Sequence, residues 1–121
     1  MKRDTRLFIA DIIENIGLIE DSTKKLSQNE FKSDKLIVDA TIRRLEIIGE
    51  ATKNMPNDFR KKYPEIPWRD IAGFRDVVTH AYFGVMLEKV WAVIKTDLPD
   101  LKQKIQKIKE DLEKETKQRK G

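Results

Sequence analysis

Apolar residues recur every three or four positions along most of this chain, with polar residues between them. Near the start, Phe8, Ile9, Ile12, Ile13, Ile16 and Ile19 keep this rhythm, which predicts a first helix from about Asp4 to Leu26. Asp4 or Thr5 can cap its free N–H groups. Gly17 interrupts the run at some cost in helix propensity, and either admits a close neighbour or is neutral. The polar stretch DSTKKLSQNEFKSDK reads as the first connection, with Ser33 or Asp34 opening the second helix. That helix carries LIVDATIRRLEIIGEATKNM. Ile37, Thr41, Leu45 and Ile48 fall on one of its lines, and Val38, Ile42 and Gly49 on another. So broad an apolar surface belongs to a helix that sits centrally or meets a second subunit.

The prolines of MPNDFRKKYPEIP break the pattern. The connector is long for a small bundle and can fold over one end of it. Pro67 suits the approach to a third helix from about Trp68 to His80. A further helix is expected from Tyr82 or Phe83, unless the two are continuous, with Phe83, Met86, Leu87, Val90, Trp91 and Ile94 as its stripe. Asp97 is a candidate cap for the last helix and Pro99 fits its first turn. Leu98, Leu101, Ile105, Ile108 and Leu112 then form a bundle or coiled-coil seam. No segment alternates long enough to make a strand. The expected fold is all-α: an antiparallel four-helix bundle with a short additional helix. It forms a single domain over 1–121, with 112–121 as a frayed basic tail.

Composition narrows the chemistry. The chain has 121 residues, no cysteine and one histidine. Disulfides, thiolate catalysis and cysteine-based zinc sites are excluded, and one histidine cannot build a histidine-rich metal site within a subunit. No calcium-loop pattern occurs, so no metal or intrinsic cofactor is expected. Asp11 and Glu14 break the first apolar run, which rules out reading it as a signal peptide, and no stretch approaches a membrane span. The expected location is cytoplasmic, with no membrane partner. The formal charge is +4, from 25 basic and 21 acidic residues, compatible with RNA but too interspersed to establish it. The end KETKQRKG is locally basic, either a solvated helix end or a nucleic-acid arm. Arg60, Lys61 and Lys62 form another basic cluster, in the connector.

The single histidine lies in GFRDVVTHAYFGV, where Arg75, Asp76, His80 and Tyr82 stand close in sequence. On a straight helix Arg75 and His80 are not stacked on one face, whereas Arg75 and Tyr82 share one. Asp76 and His80 are neighbours one turn apart, so Asp76 can raise the basicity of the imidazole. Arg75 offers a planar fork of donors to phosphate oxygens, and His80 titrates near neutrality and can move a proton. RNA carries its own nucleophile, the 2′-hydroxyl. Tyr82 can hydrogen-bond a phosphate, stack on a base or accept a modification. A symmetric dimer would bring two such pairs to one cleft. The same residues also allow a plain reading: His80 caps a helix end and Arg75 is salt-bridged to Asp76 or Glu46. Glu46, Glu50 and Gly49 read as structural, and Trp68 and Trp91 as core.

The arginine, four residues, histidine, one residue, tyrosine pattern of Arg75, His80 and Tyr82 resembles the signature of HepT-like toxins, the DUF86 branch of the HEPN superfamily. The likeness covers most of the chain: DATIRRLEIIGEATKNM, IPWRDIAGFRDVVTHAYFGV and VWAVIKTDLPDLKQKI resemble successive family segments. The resemblance implies a HEPN-type helical homodimer with its arginine–histidine pairs lining a shared cleft, and a metal-independent endoribonuclease toxin. His80 would be general acid or base, Arg75 the phosphate ligand, and Asp76 and Tyr82 supporting residues. It also implies an MNT-type nucleotidyltransferase antitoxin that transfers AMP from ATP to Tyr82; ATP and magnesium would serve the partner's reaction. Two other functions stay open: a non-catalytic HEPN-like nucleotide-binding or docking module for such a partner, and a purely structural helical dimer.

Overall fold

The computed structural model describes residues 4–82 and 87–120, apart from the side chains at positions 75, 80–82 and 116–120. Every regular element among the described residues is helical. Helix α1 spans Thr5–Thr23, and Asp4 caps it by accepting a hydrogen bond from the Arg6 N–H. Ile9, Ile12, Ile16 and Ile19 are buried along its inner line, as their spacing predicts. Gly17 has open space where a side chain would stand, so it admits no close neighbour.

The polar stretch after α1 is not a plain connection. It folds into α2, Gln28–Ser33. Ser27 Oγ accepts from the Glu30 N–H while the Glu30 carboxylate accepts from the Ser27 N–H. This reciprocal pair satisfies two N–H groups that a helix start leaves free. Phe31, fully buried, is the one apolar anchor of α2 and packs against Trp91 at a ring separation of 5.3 Å. Outside the core, the Lys32 ammonium pairs with the Glu88 carboxylate.

Helix α3, Lys35–Lys53, starts at Asp34, whose side chain accepts from the Ile37 N–H. It packs against α1, α2 and the helices of residues 68–72 and 74–82, and so takes the central place its two apolar lines predict. Thr52 Oγ1 donates to the Ile48 carbonyl, whereas the buried Thr41 hydroxyl has no partner.

The proline-rich connector holds α4, Asn57–Lys62, and folds onto the end of the core. Phe59 contacts the rings of Tyr63 and Trp68, and the Trp68 indole N–H donates to the Arg60 and Tyr63 carbonyls. Lys62 reaches Glu115 at 3.2 Å, so part of the basic cluster is engaged with the last helix.

The expected third helix is two helices. Helix α5 is Trp68–Ala72 and α6 is Phe74–Tyr82, separated by Gly73. Pro67 stands at the start of α5, as expected. A side-chain carbon at Gly73 would lie 3.2 Å from the Asp70 carbonyl oxygen, tighter than an ordinary contact. At Gly49, α3 comes close to the carbonyls of Ile71 and Ala72, where an added carbon would sit at 3.7 and 3.9 Å.

Helix α7, Leu87–Ala92, passes through a π-helical turn, Val93–Asp97, directly into α8, Leu98–Lys120. Phe83 and Met86, expected in the stripe of this segment, lie outside the described residues. Asp97 therefore stands inside a helical path and not at its start. Pro99 has no N–H to give to the carbonyl four residues back and would clash with it. The wider turn, in which the Leu98 N–H donates to the Val93 carbonyl, is where the path accommodates this. Leu98, Leu101, Ile105 and Ile108 are buried and Leu112 half-buried, the predicted seam. α8 packs on α1, with Lys102 and Glu20 paired at 2.8 Å across them.

Candidate functional site

Helix α6 presents the residues singled out in the sequence. Phe74 and Val78 are buried and hold it against α3. Asp76 and Thr79 are exposed and mark its solvent face. α6 continues through Tyr82 without ending at Thr79–Ala81. At about 100° per residue, positions 75 and 80 then lie about 140° apart around its axis. They border the solvent face on its two sides. Position 82 falls about 20° from position 75, and Asp76 about 40° from position 80. The side chains of Arg75, His80 and Tyr82 lie outside the described residues, so the register of the backbone is what locates these three.

Other sequence candidates divide clearly. Glu46 pairs with Arg43 of its own helix at 3.6 Å. Trp68 is buried. Trp91 is half-buried between Phe31 and the Lys95 ammonium, which stands 4.6 Å above its ring. Both tryptophans act in packing, as expected. Among the described residues no group of three or more His, Cys, Asp or Glu side chains is arranged to hold a metal ion, and no helix is long and apolar enough to cross a membrane.

One feature escaped the sequence reading. A groove of about 550 Å³ runs between the α5–α6 corner and the π-helical turn with the start of α8. Phe74, Val93 and Leu101 supply apolar walls, and Asp70, Asp97 and Asp100 bring three carboxylates to it against the single guanidinium of Arg69. Partial desolvation of this exposed side chain raises the Asp97 carboxyl above its ordinary value of 3.8, and the charges of Asp70 and Asp100 push the same way. Such a groove disfavours the phosphates of RNA. Asp70 and Asp97 are too far apart in the chain for any local pattern to have paired them.

A stability prediction follows from Asp97. Its folded value lies above the unfolded one, so the folded state holds this proton more tightly. The contribution of Asp97 is most favourable below pH 3.8 and is lost as pH rises through its folded value. Asp97→Asn is expected to raise Tm at pH 7, with the gain over wild type shrinking towards pH 3.5 in thermal melts. A gain that stays constant across this range would show that the carboxylate charge is not its source.

The chain matches the ribonuclease HepT-like family over residues 12–108. It is 49% identical over 109 residues to a probable ribonuclease HepT of Thermococcus cleftensis, covering 90% of this chain and 99% of that protein. It is 47% identical over 114 residues to a Methanocaldococcus jannaschii protein named for γ-glutamylcyclotransferase and as a candidate RNase. That match takes in 94% of this chain but spans about half, 51%, of the relative. A candidate RNase of Caldanaerobacter subterraneus is 38% identical over 103 residues, 85% of this chain and 92% of that protein. No solved structure matches the chain. With a family match that takes in α3, α5, α6 and the first half of α8, and relatives aligned over nearly their whole length, this chain belongs to the ribonuclease HepT-like family.

Proposed function

We propose that the chain is an endoribonuclease toxin working as a homodimer, with Arg75 and His80 as its reacting pair. Membership of a ribonuclease family is the observation that carries this reading. The placement of positions 75 and 80 on one short helix, beside its solvent face, supports it. In the proposed arrangement α1, α3, α5–α6 and α7–α8 form an antiparallel four-helix bundle, with α2 and α4 as short additions. Two α6 helices line one cleft.

The register of α6 suggests how the pair is completed. Residues about 140° apart on one helix do not face the same point. Across a two-fold axis, Arg75 of one chain can face His80 of the other. His80 would take the proton of the 2′-hydroxyl, whose oxygen attacks the adjacent phosphorus. The bond from phosphorus to the 5′-oxygen then breaks, and that oxygen receives a proton. The products are a 2′,3′-cyclic phosphate end and a 5′-hydroxyl end. Arg75 would hold the phosphate and offset the charge that grows on it. Asp76, one turn from His80, would raise the basicity of the imidazole and stabilise the imidazolium that forms.

Regulation fits the same surface. Tyr82 shares the Arg75 side of α6, so AMP transferred to its hydroxyl by an MNT-type nucleotidyltransferase antitoxin would place a bulky anion beside the bound phosphate. ATP and magnesium would belong to that transfer. The test of the reaction is chemical: an RNA carrying a single 2′-deoxy nucleotide at the cleaved position should remain uncut, while its all-ribose twin is cut. Cleavage of both would remove the 2′-hydroxyl from the mechanism.

A further inference from the structure

We infer that the groove between the α5–α6 corner and the π-helical turn is a docking site for a basic segment of another protein, one that inserts an apolar side chain flanked by Lys or Arg. The walls argue for the apolar anchor. Phe74, Val93 and Leu101 line its floor, and the half-buried Val77 continues their surface along α6. A volume of about 550 Å³ accommodates one large side chain with its adjoining backbone. The polar groups argue for the basic flanks. Asp70, Asp97 and Asp100 all line the groove and are exposed. Asp100 already meets Lys104 of its own helix at 2.9 Å, which leaves Asp70 and Asp97 as the carboxylates turned to an incoming cation. Arg69 lines the groove on α5 as well, beside Asp70, and is its one lining cation among the described residues.

Charge complementarity separates this occupant from the alternatives. The protein as a whole is basic, +4, so an acidic concavity departs from its overall field. RNA is repelled by it. The basic end of the chain does not fit it. The 23 residues of α8 lead away from the groove for about 35 Å, and the segment KETKQRKG has no apolar side chain to insert. The π-helical turn contributes directly, because it places Thr96 and Asp97 at the groove.

The experiment titrates the full ¹⁵N-labelled chain with the blocked peptide Lys-Arg-Leu-Arg-Lys and follows the amide signals of Gly73 and Thr96. Saturable shifts at these amides are expected. Binding should weaken at least about tenfold in Asp70→Asn/Asp97→Asn and disappear in Thr96→Trp, which fills the groove from an exposed position. The amide spectrum itself reports whether each variant is folded. Absence of saturable shifts in wild type would overturn the inference, as would binding that neither variant weakens. Equal binding by spermidine would reduce the site to a trap for bare cations. A change of sedimentation mass in Thr96→Trp would assign the groove to a contact between copies. RNA cleavage measured on the same samples keeps the two proposals apart: loss of peptide binding with cleavage intact, or the reverse, affects one and not the other.

Discussion

His80→Ala is expected to lower cleavage of a defined RNA by about 10²–10⁴-fold, the usual contribution of a positioned acid or base. His80 is the only imidazole of the chain. No other side chain is positioned by its ordinary titration to exchange a proton at neutral pH. The variant should fold, since the helix is held by Phe74 and Val78 at its buried side. Circular dichroism therefore checks the fold while gel analysis checks cleavage. Arg75→Ala should lose activity too, but Arg75→Lys should not restore it fully. Lysine returns the charge without the two-pronged geometry that grips a phosphate. Equal cleavage by wild type and His80→Ala would remove the histidine from the reaction. Intact Tyr82 adenylylation with no cleavage by the free wild-type protein would instead favour the non-catalytic docking module.

Phe31→Ala should be the most damaging single truncation outside the main helices, costing about 3–5 kcal/mol of stability. Phe31 is fully buried, and its ring is the sole apolar tie between α2 and the core. It meets Trp91 on the helical path that follows the motif. Its loss leaves a cavity that α2 cannot fill with any other apolar side chain. Denaturant melts measure the cost. The Lys32–Glu88 pair beside it is partly exposed, and Lys32→Ala should cost only about 0–1 kcal/mol. If the two variants were equally mild, packing through Phe31 would not be what holds α2.

These elements also show how far the sequence alone reached. α1, α3 and α8 were legible because each repeats its apolar residues through several turns, and Asp4 and Asp34 marked two of the starts correctly. α2 was missed because it has one apolar residue and hence no periodicity. Its signal was the Ser27–Glu30 pair, a reciprocal cap readable in SQNE. The division of α5 from α6 turned on Gly73, where crowding by the Asp70 carbonyl matters more than propensity. The passage from α7 to α8 was hidden because Pro99 ordinarily signals a helix start, whereas here a wider turn carries the helix past it.

The candidate site was legible in a different way. Arg75, Asp76, His80 and Tyr82 lie close in sequence, so a helix suffices to relate them, and the likeness to HepT-like toxins rested on the same stretch. The acidic groove depends on packing between α5–α6 and the start of α8, which no short pattern records.

The proposed centre draws its arginine and histidine from two chains, and co-expression of two inactive variants tests this most directly. Arg75→Ala and His80→Ala chains are each expected to be inactive alone. In a mixed dimer, one cleft position regains an intact arginine and an intact histidine, while the other loses both. With random pairing, half of the dimers are mixed and each holds one working centre, so about one quarter of wild-type cleavage should return. Recovery near that level would support the shared cleft; mixed dimers, verified by mass, that remain as inactive as either parent would contradict it.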